Sequence, residues 1–239
     1  MSERPFEGQL ALVTGSSRGI GAATAEALAA AGAHVILTGR DTKALEAVEE
    51  RIFAAGGKAT IAPVDLAEPD GIVRLASALR GRWQALDILV LNAAVLPQLM
   101  AVTQIESSGF NKALTTNVLA QQALLAAFDP MLKASKDARV IAVTSSVATK
   151  PRAFWGAYAA SKAAFETLLL CYAEEVKNIS KIRVAIVNPG ATRTAMRAKA
   201  YPGEDPQTVK LPSEVAEQVV ALLGKQFATG SRQSVNTAS

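Results

Sequence analysis

The chain has 239 residues, half of them hydrophobic, and its 25 basic and 21 acidic side chains leave a formal net charge of +4. This length is that of one large α/β domain or at most two small ones, and the composition excludes an intrinsically disordered protein. The charge is too small to indicate nucleic-acid binding, and a single cysteine and a single histidine exclude a disulfide framework, a cysteine-rich zinc site and a three-histidine metal site.

The first nine residues are polar and lack the apolar core of a secretory signal. The most apolar stretches are interrupted by Thr24, Glu26, Gln121 and Gln122 before they reach the roughly 18 uninterrupted apolar residues that a membrane span needs. We therefore expect a cytoplasmic protein with neither a membrane nor a nucleic acid as partner.

Short runs rich in β-branched residues alternate with longer helical patterns along the whole chain. The short runs predict strands at 10–14, 34–38, 59–64, 88–91, 139–143 and 183–187, with a further edge strand at 231–235. The helical patterns cover 19–31, 42–54, 71–82, 107–133, 157–177 and 212–223. Pro130 should bend or end the fourth helix, and residues 188–211 are predicted to be irregular.

Strands that are apolar at every position are buried on both faces, which requires a parallel sheet covered by helices on both sides. No linker or internal repeat interrupts the alternation. We predict a single doubly wound, Rossmann-like α/β domain over residues 1–239, with a mostly parallel seven-stranded sheet. His34 falls in a strand of that sheet, where a core or edge role is favoured over catalysis, and Cys171 is predicted to be a small buried hydrophobe inside a helix.

A glycine loop, Thr14 to Gly21, lies between the first strand and the first helix. Its G-x-x-x-G-x-G spacing is related to the G-x-G-x-x-G dinucleotide fingerprint without matching it. Gly15 would allow a sharp turn off the strand, Gly19 a close approach of backbone to a pyrophosphate, and Gly21 tight packing of helix on sheet. The free N–H groups of the helix N-terminus attract phosphate. A dinucleotide site is favoured over a glycine-rich turn without a ligand.

The residues after the second strand indicate which dinucleotide is bound. Arg40 follows Gly39 there, and the glycine loop adds Arg18. Guanidinium groups bind a 2′-phosphate, whereas an NAD site needs a carboxylate for the ribose hydroxyl. NADP(H) is therefore favoured over NAD(H). Asp41 is contrary evidence, because it could either bind the ribose or cap the following helix.

Tyr158 and Lys162 stand four residues apart in a predicted helix and therefore share one face. A neighbouring ammonium favours the phenolate and lowers the pKa of a phenol, which would suit acid–base chemistry. Taken alone, Tyr-x-x-x-Lys is a weak signal that helices contain by chance.

A series of motifs in chain order resembles the short-chain dehydrogenase/reductase family over nearly the whole chain, from Leu10 to about Val235. The matching positions are the Thr14–Gly21 loop, Asp65, the Leu91–Ala94 segment, Asn117, Thr144–Ser146, the Tyr158/Lys162 pair and the Asn188–Gly190 turn followed by Thr192 and Thr194. Leu91 and Ala94 depart from the family's N-N-A-G motif. Residues 153–160 and 188–206 also resemble a bacterial subgroup whose substrate is unassigned.

The resemblance implies a role for each catalytic residue. Tyr158 would exchange a proton with the substrate oxygen, and Lys162 would lower the pKa of Tyr158 and bind the nicotinamide ribose. Asn117 would hold a water that links Lys162 to solvent. No metal is expected. The residues expected to bind the cofactor, including those of the preceding arguments, are Gly15, Ser17, Arg18, Gly19, Ile20, Gly21, Arg40, Asp65, Leu66, Asn92, Ala93, Ala94, Tyr158, Lys162, Pro189, Gly190, Thr192 and Thr194.

The family's catalytic serine, which polarises the carbonyl group, has two candidates. Ser145 precedes Tyr158 by the usual 13 residues, whereas matching the S-S-V-A string selects Ser146. Side chains of consecutive residues in an extended strand point to opposite faces, so the two are not equivalent. We favour Ser145.

Together these features predict an NADP(H)-dependent oxidoreductase that interconverts a small carbonyl compound and its alcohol. The alternatives are a nucleotide-binding sensor without turnover and an epimerase or dehydratase that retains its cofactor. Residues 190–211 are predicted to form a substrate lid, whose basic and aromatic rim suggests an anionic or partly aromatic substrate. The family resemblance also implies a homodimer or homotetramer.

Overall fold

The computed structural model describes residues 4–68 and 70–235. The strands are β1 Leu10–Thr14, β2 His34–Gly39, β3 Lys58–Pro63, β4 Ile88–Leu91, β5 Arg139–Val143, β6 Arg183–Asn188 and β7 Ser231–Ser234. The helices are α1 Gly19–Ala30, α2 Thr42–Ala54, α3 Gly71–Arg80, α4 Ser107–Leu114, α5 Ala120–Ala134, α6 Gly156–Val176, α7 Ala195–Ala200 and α8 Pro212–Leu223. A π-helical turn, Thr115–Leu119, joins α4 to α5.

The strands form one seven-stranded sheet in the order β3-β2-β1-β4-β5-β6-β7, and every neighbouring pair is parallel. Two hydrophobic clusters cover its faces, one built around α3, α5 and α6 and the other around α1, α2 and α8. The doubly wound α/β prediction is confirmed. Because the chain reverses its direction of winding between β1 and β4, a crevice forms there at the carboxyl edge of the sheet.

The helix from Ser107 to Ala134 differs from its prediction in two ways. It contains the π-helical turn, and it continues beyond Pro130 instead of ending there. Phe128, Met131 and Leu132, which flank the proline, are all buried. Their packing stabilises this last turn in spite of the backbone hydrogen bond that proline cannot donate.

Three local expectations also have outcomes in the structure. Residues 188–211 are not irregular throughout, because they contain the short helix α7. Thr194 caps this helix by accepting a hydrogen bond from the Arg197 N–H at 3.1 Å. Cys171 is exposed, so its predicted burial is wrong. His34 opens β2 at the amino edge of the sheet, where its Nε2 lies 2.8 Å from the Thr60 hydroxyl, far from the crevice.

The helices were also compared with the requirements of a membrane span. Within residues 4–68 and 70–235, no helix combines the length and the apolar character needed to cross a bilayer.

Candidate active site

Hydrogen bonds between β1 and β4 build the floor of the crevice. The Thr14 hydroxyl accepts from the N–H groups of Asn92 and Ala93 at 2.9 and 3.0 Å, and it donates to the Val90 carbonyl at 3.2 Å. The Asn92 amide donates in turn to the Thr14 carbonyl at 2.8 Å. These bonds bring the glycine loop and the segment after β4 together at the switch point. Ala94 follows there, half-buried, while Leu91, the departure from the family motif, packs in the core.

The glycine loop has the backbone that a pyrophosphate cradle requires. Gly15 and Gly19 have φ of 65° and 58°, a region that favours glycine. A Cβ on Gly21 would collide with the Gly15 carbonyl oxygen. Ser17, Arg18 and Ile20 complete the loop, which ends at the N-terminus of α1 with its backbone N–H groups unpaired. These residues fit a bound dinucleotide, because the glycines leave only backbone atoms at the positions where phosphates must approach.

The turn after β6 closes the other side of the cradle. Gly190 has φ of 66°, and the buried Thr192 hydroxyl bonds back to the carbonyl of the buried Pro189 at 3.3 Å. A Cβ on Gly19 would lie only 3.3 Å from the Thr194 methyl group. The turn after β6, which carries predicted cofactor residues, therefore approaches the glycine loop at Thr194.

At the β2 and β3 ends of the crevice, the structure decides between the two roles of Asp41. Asp41 caps α2, accepting a hydrogen bond from the Ala44 N–H at 3.1 Å. Arg40 is exposed and lines a cavity of about 530 Å³ together with Asp65, and Leu66 is buried beside it. Within the described residues, neither Arg40 nor Arg18 forms an ion pair. The guanidinium groups of Arg40 and Arg18 are therefore available to a phosphate at this end of the crevice, where the carboxylate of Asp65 also lies.

Tyr158 and Lys162 lie one turn apart on α6 and are both buried, with exposed fractions of 6% and 3%. The Tyr158 ring packs with Val147, and its hydroxyl lies 3.9 Å from the Met196 sulfur. The Lys162 ammonium donates a hydrogen bond to the Val143 carbonyl at 2.8 Å. The helix therefore brings both groups to the carboxyl end of β5, as the pair's spacing predicts.

Burial decides the protonation of both groups. It raises the pKa of Tyr158 to about 12 and lowers the pKa of Lys162 to about 8, the latter against the opposing charge of Glu166. The expectation that Lys162 lowers the phenol pKa is therefore corrected for the protein alone, because desolvation by burial raises that pKa. At neutral pH Tyr158 keeps its proton and Lys162 its charge, which are the forms needed to protonate a carbonyl oxygen.

Asn117 sits in the π-helical turn and is fully buried. It bonds both backbone groups of Val95, accepting at 2.8 Å and donating at 3.0 Å, and its amide also donates to the Ser161 hydroxyl at 3.0 Å. The π-helical turn thus fastens the segment after β4 to the residue beside Lys162. Such turns occur often at functional sites.

Both candidate serines lie at the end of β5 and are half-buried. Ser145 has extended backbone, and its hydroxyl is only loosely engaged by the Val147 N–H at 3.5 Å. Ser146 begins the tight turn 146–148, and the Ser146 carbonyl accepts a hydrogen bond from the Lys150 backbone N–H at 2.9 Å. The extended position and weakly held hydroxyl of Ser145 favour it as the group that meets a substrate.

An aromatic latch joins the predicted lid to the loop before α6. The Trp155 ring lies 5.9 Å from Tyr158 and 5.8 Å from Tyr201, and Arg152 donates to the Tyr201 hydroxyl at 3.0 Å. The Arg197 guanidinium also stacks on the Tyr201 ring, 3.7 Å from its centroid. We define the latch as Arg152, Trp155 and Tyr201; it joins Tyr201 to the loop that contacts Tyr158.

Sequence reasoning predicted no individual role at the site for several of its polar residues: Thr144, Ser161, Glu166 and Gln121. Glu166 is buried one turn beyond Lys162. The sequence contained a signal for the burial of Glu166, since this charged residue falls on the same helix face as the apolar Phe165 and Leu169. Its partners lie on distant strands, so the pattern could not name them.

Comparisons with known proteins agree with this geometry. A family model described as short chain dehydrogenase matches residues 9–205. YciK, described as an uncharacterized oxidoreductase of Escherichia coli, is 35% identical over 219 residues, covering 90% of this chain and 86% of its own.

Two solved structures resemble this chain at a comparable level of sequence identity. A Shigella flexneri protein assigned to the short chain dehydrogenases, solved with NADP, has a TM-score of 0.93 at 33% identity and covers 98% of this chain and 99% of its own. A second, from Escherichia coli, solved with NADPH, also has a TM-score of 0.93 at 33% identity, covering 99% of this chain and 100% of its own.

Proposed function

We propose that this chain, which belongs to the short chain dehydrogenase family and is an oxidoreductase of it, uses NADP(H) to interconvert a carbonyl compound and its alcohol, with Tyr158 as the general acid and base. The observation that carries the proposal is the Tyr158/Lys162 pair, buried together where β5 ends. The NADP and NADPH complexes of similar proteins support the cofactor.

Bound NADPH would supply the hydride, and the chain positions the reacting groups. Gly15, Gly19 and the α1 N-terminus hold the pyrophosphate, and Arg18 with Arg40 holds the 2′-phosphate. The turn from Pro189 to Thr194 lies where the nicotinamide end would be held.

Proton transfer is the task of Tyr158. Because burial raises the pKa of Tyr158 to about 12, its hydroxyl carries a proton throughout the neutral range and can give it to the substrate oxygen. The Lys162 ammonium stabilises the phenolate that results. Ser145 donates a hydrogen bond to the same oxygen and polarises the carbonyl, while Asn117 keeps the turn beside Lys162 in place.

The walls around Tyr158 indicate the substrate class. Leu96, Val147, Trp155 and Met196 form an apolar and partly aromatic cluster with Tyr158, and the exposed Arg152 lies beside it. We propose a carbonyl compound with an aromatic or apolar body, and an anionic group is favoured at the Arg152 end.

NADPH consumption with a panel of ketones, aldehydes and quinones tests the proposal. We expect turnover of aromatic members, and a fall of about 100- to 10,000-fold in kcat for Tyr158→Phe, the range that general acid–base catalysis spans. Tyr172→Phe, on the same helix but bonded to Asp129 at 2.9 Å, is the control. Stoichiometric NADPH binding without turnover of any member would instead support a sensor.

The same assay with NADH tests the cofactor preference. Arg40→Asp places a carboxylate where we expect the 2′-phosphate, so NADPH should bind more weakly and NADH should be preferred. Lys136→Asp makes the same charge reversal at an exposed position near the opposite edge of the sheet and should change neither affinity. An unaltered preference in Arg40→Asp would refute the NADP(H) assignment.

A further inference from the structure

Glu166 is a buried carboxylate with partners on two strands. One oxygen accepts a hydrogen bond from the Thr144 hydroxyl, and the other pairs with the Arg232 guanidinium at 2.9 Å. The Glu166 side chain is only 5% exposed, whereas Arg232 on β7 is 44% exposed. Burying a carboxylate costs free energy unless each oxygen is satisfied, and here both are.

The bonds of Glu166 complete a clamp between α6 and the end of β5. Lys162 donates to the carbonyl of Val143, the last residue of β5, and one helical turn later Glu166 accepts from Thr144, which follows the strand directly. Two consecutive residues at the end of β5 are therefore held by two consecutive turns of the helix. Ser145 follows directly, so the clamp sets its position relative to Lys162 and Tyr158.

The charges alternate from the site toward the sheet edge, from the Lys162 ammonium through the Glu166 carboxylate to the Arg232 guanidinium. Burial disfavours the Lys162 ammonium, and Glu166 opposes that effect. Among the described residues, four further polar groups face this part of α6: Tyr158 and Ser161 on the helix itself, Asn117 from the π-helical turn and Thr144 from the end of β5. None of these four is a carboxylate, so Glu166 supplies the negative charge.

We propose that Glu166 is a positioning residue for the reaction: it fixes Thr144, and through it Ser145, against the Tyr158/Lys162 turn, and it keeps Lys162 charged. This inference rests on the proposed function. It predicts that removing the charge of Glu166 and removing its hydrogen bond to Thr144 have different effects on kcat and on its pH dependence.

Glu166→Gln removes the charge. The amide oxygen of the replacement can still accept from Thr144, so we expect kcat near neutral pH to fall by no more than about tenfold, with little change in KM. Since Lys162 then loses the carboxylate whose charge raises its pKa against desolvation, its ammonium deprotonates at lower pH. The alkaline limb of the kcat profile should move toward neutral pH, and so should the Lys162 titration followed by NMR and assigned with Lys162→Met.

Thr144→Val removes the hydrogen bond and keeps the charge. It should lower kcat and leave the alkaline limb in place. Glu175→Gln is the matched control, since it removes the same charge from an exposed position of the same helix, and it should resemble the wild type. Thermal unfolding of each variant allows kinetics to be measured where all are folded.

If Glu166→Gln, while folded, keeps the wild-type pH profile and Lys162 titration, the inference is overturned. Should it not fold, Glu166→Asp replaces it; a lowered kcat with an unmoved alkaline limb supports the inference, and an unchanged kcat overturns it. Failure of the proposed function is distinguishable, because the wild type would then turn over no carbonyl compound, while the Lys162 titration still tests Glu166.

Discussion

At the scale of single residues, the site is a balance between burial and charge. Tyr158 and Lys162 lie side by side in apolar surroundings, and burial moves both pKa values toward the neutral forms. For Lys162, the charge of the Glu166 carboxylate opposes this effect. Lys162 therefore stays charged at neutral pH but loses its proton near pH 8, where we expect activity to begin to decline.

The two candidate serines give a prediction at this scale. Ser145→Ala should lower kcat by about 100-fold or more, because it removes the donor that meets the developing negative charge on the substrate oxygen. Ser146→Ala is the matched control and should stay within a few-fold of wild type. Steady-state kinetics of both variants in the carbonyl assay checks this, and the reverse pattern would transfer the role to Ser146.

At the scale of elements, α6 links several functions. Its first turns hold Tyr158, Ser161 and Lys162, and the next turn holds Glu166. The spacing of Tyr158 and Lys162 in the sequence predicts their shared face. Residues 190–211 are less regular and have few buried residues of their own, and we propose that the latch helps to hold them near the site.

The latch gives a prediction for the lid. Tyr201→Ala removes the ring that packs against Trp155 and Arg197, so we expect KM for the carbonyl substrate to rise about 2- to 10-fold, the worth of an aromatic pair. The NADPH dissociation constant should not change. Tyr201→Phe keeps the ring and loses only the hydroxyl, so it should remain near wild type. Equal KM values for all three proteins would show that the latch does not hold the lid over the substrate.

At the scale of the whole molecule, the fold brings groups from six strands to one edge of the sheet. The carboxyl ends of β1, β4 and β5 contribute the glycine loop, Asn92 and Ser145, and β2, β3 and β6 contribute Arg40, Asp65 and the Pro189 turn. Exposed leucines remain on the long helical segments, with Leu119 61% and Leu168 38% accessible. Apolar surface of this kind suits contact with a second copy.

The oligomeric state is the prediction at this scale. We expect a homodimer or homotetramer at micromolar concentration, and Leu168→Glu should shift it toward the monomer because it places a charge on apolar surface of α6. Ile179→Glu, just beyond α6 and 74% exposed, is the control. Light scattering measures the mass, and a wild-type monomer would contradict the expectation.

The sequence by itself determined the order of strands and helices, the parallel sheet, the glycine loop and the Tyr158/Lys162 pair, because each is a local pattern of apolar periodicity or motif spacing. The sequence left two roles open for Asp41 and favoured burial for Cys171. Tertiary structure decided that Asp41 caps α2, that Cys171 faces outward, and that desolvation controls the pKa of Tyr158. It also joined Glu166 to Thr144 and Arg232. The contacts between distant segments, and the burial of individual polar groups that these contacts produce, are properties of the assembled chain that local patterns do not specify.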